Sequence, residues 1–482
     1  MFDLRPVAYV IGLLVASLGV AMLFPMLVDI SAGNGNAMGF AQAAVITVAV
    51  GGLMALSSAN SSRKKLSVQQ TFLMTTGVWL VLPVFGALPF ITTATELRFI
   101  DAFFEAMSGL TTTGSTVLVG LEELPRGILF WRGLLQWFGG IGIIVVAMVF
   151  LPELRVGGMQ IFRSQGFDTD GKILPRATEI ASRISVVYFG LTILCALGYL
   201  AFGMEPFDAV THAMTTIATG GFANYDASFA AFPAEVEYVA AIFMVAAALP
   251  FVRYVQLLAG SHKALLSDPQ VRGFVVAILL VFVTMTAMRL FSSDGVSEPL
   301  VRKTLFNVVS ILTGTGYASA DYMTWGTAAV ATFFFVGLIG GCAGSTSCSV
   351  KIFRYQLLFS SIATQIRHIH SPHGIFSPRY GGRPVGQDVL SSVMAFFVLF
   401  LVSLGIIAVI LAMTGLDFVT SISGAAAALA NIGPGLGPVI GPSGTYAPLN
   451  DTAKWVLAAA MLIGRLELMA VYVLFTFRFW RG

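Results

Sequence analysis

Four short tracts in this 482-residue chain have the make-up needed to hold a cation without a counter-charge. They read Thr111-Thr112-Thr113-Gly114-Ser115, Ala218-Thr219-Gly220-Gly221-Phe222, Gly314-Thr315-Gly316-Tyr317 and Asn431-Ile432-Gly433-Pro434-Gly435. A cation that leaves water must exchange its hydration shell for fixed oxygens. Main-chain carbonyls supply these without a permanent charge that would trap the ion. Successive carbonyls share a direction only in unusual backbone conformations, which glycine tolerates. Threonine and serine add hydroxyl oxygens. A single tract of this kind is weak evidence, because small residues also pack membrane helices together. Four at matching positions are much stronger.

The surrounding elements repeat with the tracts. Each tract follows a short helix-like stretch, at 101–109, 208–214, 303–310 and 421–430, and each stretch follows a long apolar run. The central glycines, Gly114, Gly220, Gly316 and Gly433, are spaced by 106, 96 and 117 residues. Four units of about 100 residues, plus two leading helices, account for the whole chain. The units are 63–155, 156–262, 263–385 and 386–482, with 1–62 as the leading pair. The spacing predicts an all-α polytopic membrane protein, with four helix–pore helix–filter–helix repeats around one pore. The re-entrant helices would aim their partly negative C-terminal ends at the cation. Ile432 stands where the other tracts have threonine, and Pro434 follows Gly433, so the ring is not chemically fourfold.

Composition agrees. Charged residues are 11 % and hydrophobic residues 57 %. Soluble domains carry about 25 % charged residues. The balance excludes an ordinary soluble protein, a disordered chain and a nucleic-acid binder. Uncharged runs at 7–28, 40–59, 66–95, 133–152, 184–204, 325–350 and 389–416 are long enough to cross a bilayer. Shorter runs at 238–252 and 273–288 qualify if the basic residues at their ends snorkel. A last run, 455–477, is interrupted by Arg465 and Glu467. That gives ten candidate spans. The first exceeds the roughly 7–15 residues of a signal-peptide core and reads as a retained span. With both termini inside, 19 of the 27 basic residues fall in inner segments, which satisfies the positive-inside rule. Sixteen of the 24 acidic residues fall outside, where they would gather cations at an entry or be solvated loop charge. Cys195, Cys342 and Cys348 form neither a disulfide framework nor a zinc site.

Two further features lie beyond the tracts. The 325–350 run contains Gly340-Gly341-Cys342-Ala343-Gly344-Ser345-Thr346-Ser347-Cys348-Ser349, followed by Val350 and Lys351. Glycine costs about 1 kcal/mol against alanine within a helix, so this stretch predicts a helix broken by an intramembrane loop. Its reading is a movable gate under the ring or a close-packed small-residue face. Arg465 sits mid-span, and Glu467, two residues on, lies on another helix face. Its guanidinium is a barrier in the pore or a salt bridge or carbonyl cap between helices. At about 6 Å and an effective dielectric of about 20, its repulsion of a monovalent cation is roughly 3 kcal/mol. His212, in the second re-entrant stretch, reads as a structural hydrogen bond. His368, His370 and His373 fall in a basic inner loop, 351–388, which reads as solvated. That loop and 154–183 are long, basic and suited to a cytosolic partner.

These residues resemble the Trk/Ktr/HKT superfamily of cation transporters, and the two leading helices and the length are similar to its bacterial TrkH/TrkG branch. The resemblance covers essentially the whole chain. It is most specific in the four tracts, the Gly-Gly-Cys-Ala-Gly-Ser-Thr segment before Lys351, and Gly464-Arg465-Leu466-Glu467. It implies potassium uptake across the bacterial inner membrane, with potassium as substrate and no covalently bound cofactor. It implies a filter at Thr112, Thr113, Gly114, Ala218, Thr219, Gly220, Gly314, Thr315, Gly316, Asn431, Ile432 and Gly433. It implies a gate at Gly340, Gly341, Gly344, Ser345, Thr346 and Lys351, and a constriction at Arg465. A homodimer on a cytosolic TrkA-type nucleotide-binding ring follows from the same resemblance. Cys348 and Ser349 depart from the two glycines usual at that end of the gate. The rival readings are less selective sodium/potassium permeation, a proton- or sodium-coupled transporter with inverted repeats, and a membrane enzyme. The tracts all enter from one side, against inverted repeats, and no nucleophile, metal cluster or cofactor motif suggests an enzyme.

Overall fold

A computed structural model describes residues 3–61, 66–146, 158–159, 177–291 and 295–481. Among these, seven helices are long and apolar enough to cross a membrane: Arg5–Ala32, Ala37–Ser58, Val68–Thr92, Arg126–Val145, Ala181–Ala201, Pro269–Leu290 and Gln387–Met413. Two helix pairs pass the same test only together. Ala234–Ala247 with Phe251–Leu258 bends by 90°, and Asp451–Arg465 with Met469–Phe475 bends by 105°. The chain is an all-α polytopic membrane protein. Its outward faces carry leucine, isoleucine and valine, as at Val398, Leu401 and Ile406, which suits lipid as the surrounding solvent.

Local chemistry sets the breaks. Proline lacks an N–H, so Pro250 cannot continue the helix that ends at Ala247, and it begins the next one as its N-cap. The last span ends at Arg465, and Glu467 and Leu468 then take left-handed backbone with φ of 61° and 48°. The sequence read 238–252 as one short span and 455–477 as a span interrupted by Arg465 and Glu467; both are bent, and no glycine lies within either break. The 325–350 run also differs in extent. Only Thr327–Gly337 is helical, residues 338–351 form a loop, and the second helix is Ile352–His370.

The two leading helices meet backbone to backbone. A Cβ at Gly12 would lie 2.7 Å from the Ala55 nitrogen, and one at Gly51 would overlap Ala16. Small residues at such contacts let membrane helices gain dispersion contacts and carbonyl proximity.

Four short helices sit at the centre: Phe99–Leu110, Pro206–Ile217, Glu298–Thr313 and Phe418–Ala430. The tracts that follow the four helices meet at one place. Arg98, Glu205, Ser297 and Asp417 are the N-caps of these helices. Asp417 accepts the Thr420 N–H at 3.1 Å, and the neighbouring Thr420, side chain before backbone, holds its carboxyl below the ordinary range.

Several charges assigned to loops are buried instead. Arg132, Arg302 and Lys454 pair with Glu105, Glu237 and Asp101 inside the bundle. Desolvated charges persist only when paired; Arg132–Glu105 ties the first re-entrant helix to the span that follows it, and the other two pairs tie re-entrant helices to spans of other repeats. Asp101, Glu105, Asp208 and Glu237 are therefore not free at the entry, whereas Glu122, Glu205 and Asp226 are exposed. Lys351 and Arg354 are buried too; Arg354 pairs with Glu467 and lies 3.8 Å from the Phe396 ring centre. His368 and His370 end a helix rather than lying in a loop, and no cluster able to hold a metal occurs among the described residues. Arg63, Lys64, Lys65, Arg155, Arg163, Lys172 and Arg176, the end of the 133–152 run and most of the 154–183 loop lie outside the described residues.

Candidate functional site: a ring of four tracts above a broken helix

The ends of the re-entrant helices dictate the shape of the tracts. In three of them the chain leaves the helix through a paired turn of hydrogen bonds. Thr113 N–H reaches the Ser108 carbonyl at 2.8 Å while Thr112 N–H reaches Gly109 at 2.9 Å. Gly220 and Thr219 do the same to Thr215 and Thr216, and Ile432 and Asn431 to Ala427 and Ala428. This motif requires a left-handed residue just past the helix. Thr112, Thr219, Gly314 and Asn431 hold that place, with φ of 51°, 49°, 77° and 51°. A β-branched residue there is strained, and such strain persists only where surrounding structure imposes it.

Counting from the left-handed residue fixes the ring. Two residues on stand Gly114, Gly221, Gly316 and Gly433, and the first three again have positive φ. The spacing argument placed Gly220 in this set; the backbone places Gly221 there and Gly220 beside Thr113, Thr315 and Ile432. Neighbouring tracts touch in cyclic order. A Cβ on Gly114 would overlap the Gly220 carbonyl, and one on Gly221 the Thr315 carbonyl. One on Gly316 would lie 2.9 Å from the Gly433 nitrogen, and one on Gly433 2.9 Å from the Gly114 oxygen. The four strips thus close on one another. Gly114, Gly221, Gly316 and Gly433 together line a single cavity of about 210 Å³ that also reaches Asp226 and Tyr446.

The open valences in this ring are oxygens. The carbonyls of Thr112, Thr113, Thr219, Thr315, Asn431 and Ile432 take no hydrogen bond from any described residue, although these residues are at most 3 % exposed. Buried carbonyls are ordinarily paired. Carbonyls off the set are engaged: Gln136 Nε2 donates to Gly220 at 2.7 Å, the Thr219 hydroxyl to Ala218 at 2.8 Å, and Ser115 and Tyr446 to Gly433 at 2.9 and 3.0 Å. A cluster of buried acceptors lacking donors is what a cation would satisfy. Hydroxyls are distributed in a twofold way. Thr111 and Thr113 pair at 2.7 Å and Thr313 and Thr315 at 2.8 Å, on tracts that face each other across the ring, while Ala218, Gly220, Ala430 and Ile432 fill these places in the others.

Directly behind the ring, the 338–351 loop brings together Gly340, Gly341, Gly344, Ser345, Thr346 and Lys351. The Cys348 sulfur lies 3.6 Å from the Thr112 hydroxyl. The loop docks on the elbow at Pro250. Cys342 N–H donates to Ala248 at 2.9 Å, the Thr346 hydroxyl to Ala247 at 3.0 Å, and Phe251 N–H to the Gly344 carbonyl at 2.9 Å. One broken helix thereby satisfies the orphan ends of another. A short parallel bridge, Ile339 with Val350 and Gly340 with Lys351, closes the loop at its base. Lys351 donates to the Ser347 carbonyl.

Arg465 lies against this loop, beneath the first tract, 4 % exposed. It donates to Gly139 at 3.2 Å, to Thr346 at 3.4 Å and to the Cys348 sulfur. Its Nε finds no partner among the described residues. Among the described residues no carboxylate neutralises it, and Glu467 serves Arg354. Its contacts are those of a carbonyl cap, with no carboxylate beside it among the described residues.

Sequence reasoning missed the supports behind the ring. Arg132 links Glu105 at 2.8 Å to the Ala223 carbonyl at 2.7 Å, and Gln136 holds the second tract at both Gly220 and Phe222. The four-residue spacing of Arg132 and Gln136 in an apolar span was a usable signal. His212 is a buried structural hydrogen-bonding group, as expected, between the Asp208 carbonyl and Asn224 N–H.

Comparison with known proteins agrees with this architecture. Residues 36–480 match the TrkH family, described as a cation transport protein. The chain is 43 % identical to the Trk system potassium uptake protein TrkI of Halomonas elongata, over 99 % of this chain and 97 % of that one. It is 37 % identical to the Trk system potassium uptake protein TrkH of Escherichia coli, over 99 % of each. The crystal structure of the potassium transporter TrkH from Vibrio parahaemolyticus superposes with a TM-score of 0.91 at 34 % identity, covering 100 % of both chains.

Proposed function

Because this chain belongs to the TrkH family of cation transport proteins, we propose that it takes up potassium through the ring of four tracts. The observation that carries this reading is the ring itself: four glycines line one cavity, and buried carbonyls beside them lack donors. Potassium enters from the side where the re-entrant helices begin. It sheds water at the ring, where carbonyl oxygens replace its hydration shell. The four repeats act as one unit, and the chain performs no covalent catalysis.

Below the ring the ion meets the 338–351 loop and Arg465. The loop is the gate and Arg465 an electrostatic barrier that empties the passage while the loop is seated. The protein sits in the bacterial inner membrane with both termini cytoplasmic, works as a homodimer, and is regulated by a TrkA-like cytosolic nucleotide-binding ring on its basic loops. That partner biases the loop between seated and displaced positions.

Ion uptake into reconstituted vesicles tests the reading. Potassium and rubidium should compete for one pathway and sodium only weakly, with uptake insensitive to an imposed pH gradient. Equal sodium uptake would replace potassium selectivity with general monovalent permeation, and uptake that follows the pH gradient would replace the pore with proton coupling.

A further inference from the structure

We infer that each tract is held in register by a side chain of its own re-entrant helix, and that these four clamps set the ion preference of the ring. The inference rests on the ring being the site of ion dehydration. Nine residues before the ring glycine stand Glu105, His212 and Asn307, and three residues after it Val117, Asn224 and Ser319. In each of these three repeats the first accepts the backbone N–H of the second. Val117 donates to Glu105 Oε2 at 2.9 Å, Asn224 to His212 Nε2 at 3.3 Å, and Ser319 to Asn307 Oδ1 at 3.4 Å. The fourth repeat has Gly424 at the helix position, which offers no side chain. Ser423 beside it does the work: its hydroxyl accepts the Leu436 N–H at 2.9 Å, and Leu436 is again three residues past the glycine.

Carboxylate, imidazole, amide and hydroxyl share nothing except the ability to accept this bond. His212 is oriented for it, because its Nδ1 faces the Asp208 carbonyl at 2.8 Å and so carries the proton, leaving Nε2 to accept. Among the described residues the chain past each glycine belongs to no sheet, and a buried N–H left unpaired costs about 1–3 kcal/mol. The clamp thus pins the tract beyond the glycine, while the helix-ending turn pins it before. Oxygens held at both ends resist closing around a smaller ion, which is one way a filter favours the larger one. Glu105 is further fixed by Arg132, which makes the first clamp the stiffest.

The test is competitive uptake of rubidium and sodium by the full-length protein in vesicles. His212→Leu and Asn307→Leu remove the acceptor at similar bulk, and the rubidium-to-sodium ratio should fall about tenfold. His212→Asn and Asn307→His exchange one native acceptor for another and should keep the ratio within about threefold. Ser423→Ala deletes the fourth clamp without adding bulk and should also lower the ratio, which covers any failure of the leucine variants to fold. An unchanged ratio in Ser423→Ala and in the folded leucine variants overturns the clamp, as do exchange variants that lose preference like the leucine ones. Gly316→Ala separates the two claims: if it too leaves the ratio unchanged, the ring reading fails, and if it alone lowers the ratio, only the clamp does.

Discussion

The ring and the loop beneath it are built from the same residues and use their backbones in opposite ways. Both are glycine-rich, non-helical and buried at the centre of the bundle. In the ring, N–H groups are consumed by helix-ending turns and clamps, while carbonyls such as those of Thr112 and Ile432 are left open. In the loop the backbone is latched to its neighbours. The Cys342 N–H goes to Ala248, the Gly344 carbonyl to Phe251, the Ser347 carbonyl to Lys351, and the Thr346 carbonyl to Arg465. Irregular backbone at membrane depth needs partners from protein or water-filled space. The ring leaves its share open, and the loop takes its share from protein. Glycine content alone therefore does not separate a binding segment from a plug; the fate of the carbonyls does.

The largest effect should come from the ring. Gly221→Ala forces a Cβ into the Thr315 carbonyl at a residue with φ of 77°. Overlap with backbone in a closed ring, together with left-handed strain, should lower potassium uptake more than about a hundredfold. Near-normal uptake by this variant would remove Gly221 from the ring. The loop should respond with the opposite sign. Arg465→Ala frees the Gly139 and Thr346 carbonyls and deletes a buried charge beneath the first tract. Cation flux should rise about tenfold, less than the full electrostatic barrier, because the other latches still seat the loop. A fall in flux by folded protein would make Arg465 structural and erase the contrast between the two segments.

Much of this contrast was legible in the sequence. Four tracts at matching positions announced the ring, and the density of glycine at 340–344 announced the broken helix. The elbow at Ala247–Phe251 was not read, because Leu249-Pro250 near the end of an apolar run also fits a span that simply stops. The second bend was hidden because nothing in Arg465-Leu466-Glu467-Leu468 marks left-handed backbone at Glu467 and Leu468. Burial of Arg132, Arg302 and Lys454 escaped notice because their partners come from distant segments, as Lys454 does with Asp101 at 2.6 Å. Charge sorting by loop treats every such residue as solvated.

The second tract shows where sequence resolution ends, and it yields the smallest expected effect. Gly220-Gly221 offers two adjacent glycines, and spacing across repeats of unequal length cannot choose between them. Three independent features select Gly221: left-handed Thr219 two residues earlier, the lumen it shares with the other three glycines, and the His212–Asn224 bond centred on it. Gly220 has no positive φ and aligns with Thr113, Thr315 and Ile432, which all carry side chains. A Cβ there would first meet the amide end of Gln136, the far end of a side chain and not backbone. Its displacement costs the bond to the Gly220 carbonyl, so Gly220→Ala should reduce uptake about fivefold, far less than Gly221→Ala. Adding Gln136→Ala to Gly220→Ala should then cost little more, because a displaced amide has already given up both its bond to the Gly220 carbonyl and the one it accepts from the Phe222 N–H. If Gly220→Ala is instead the more damaging of the two glycine substitutions, the ring glycine of the second repeat is Gly220, and the counted positions of its clamp shift with it.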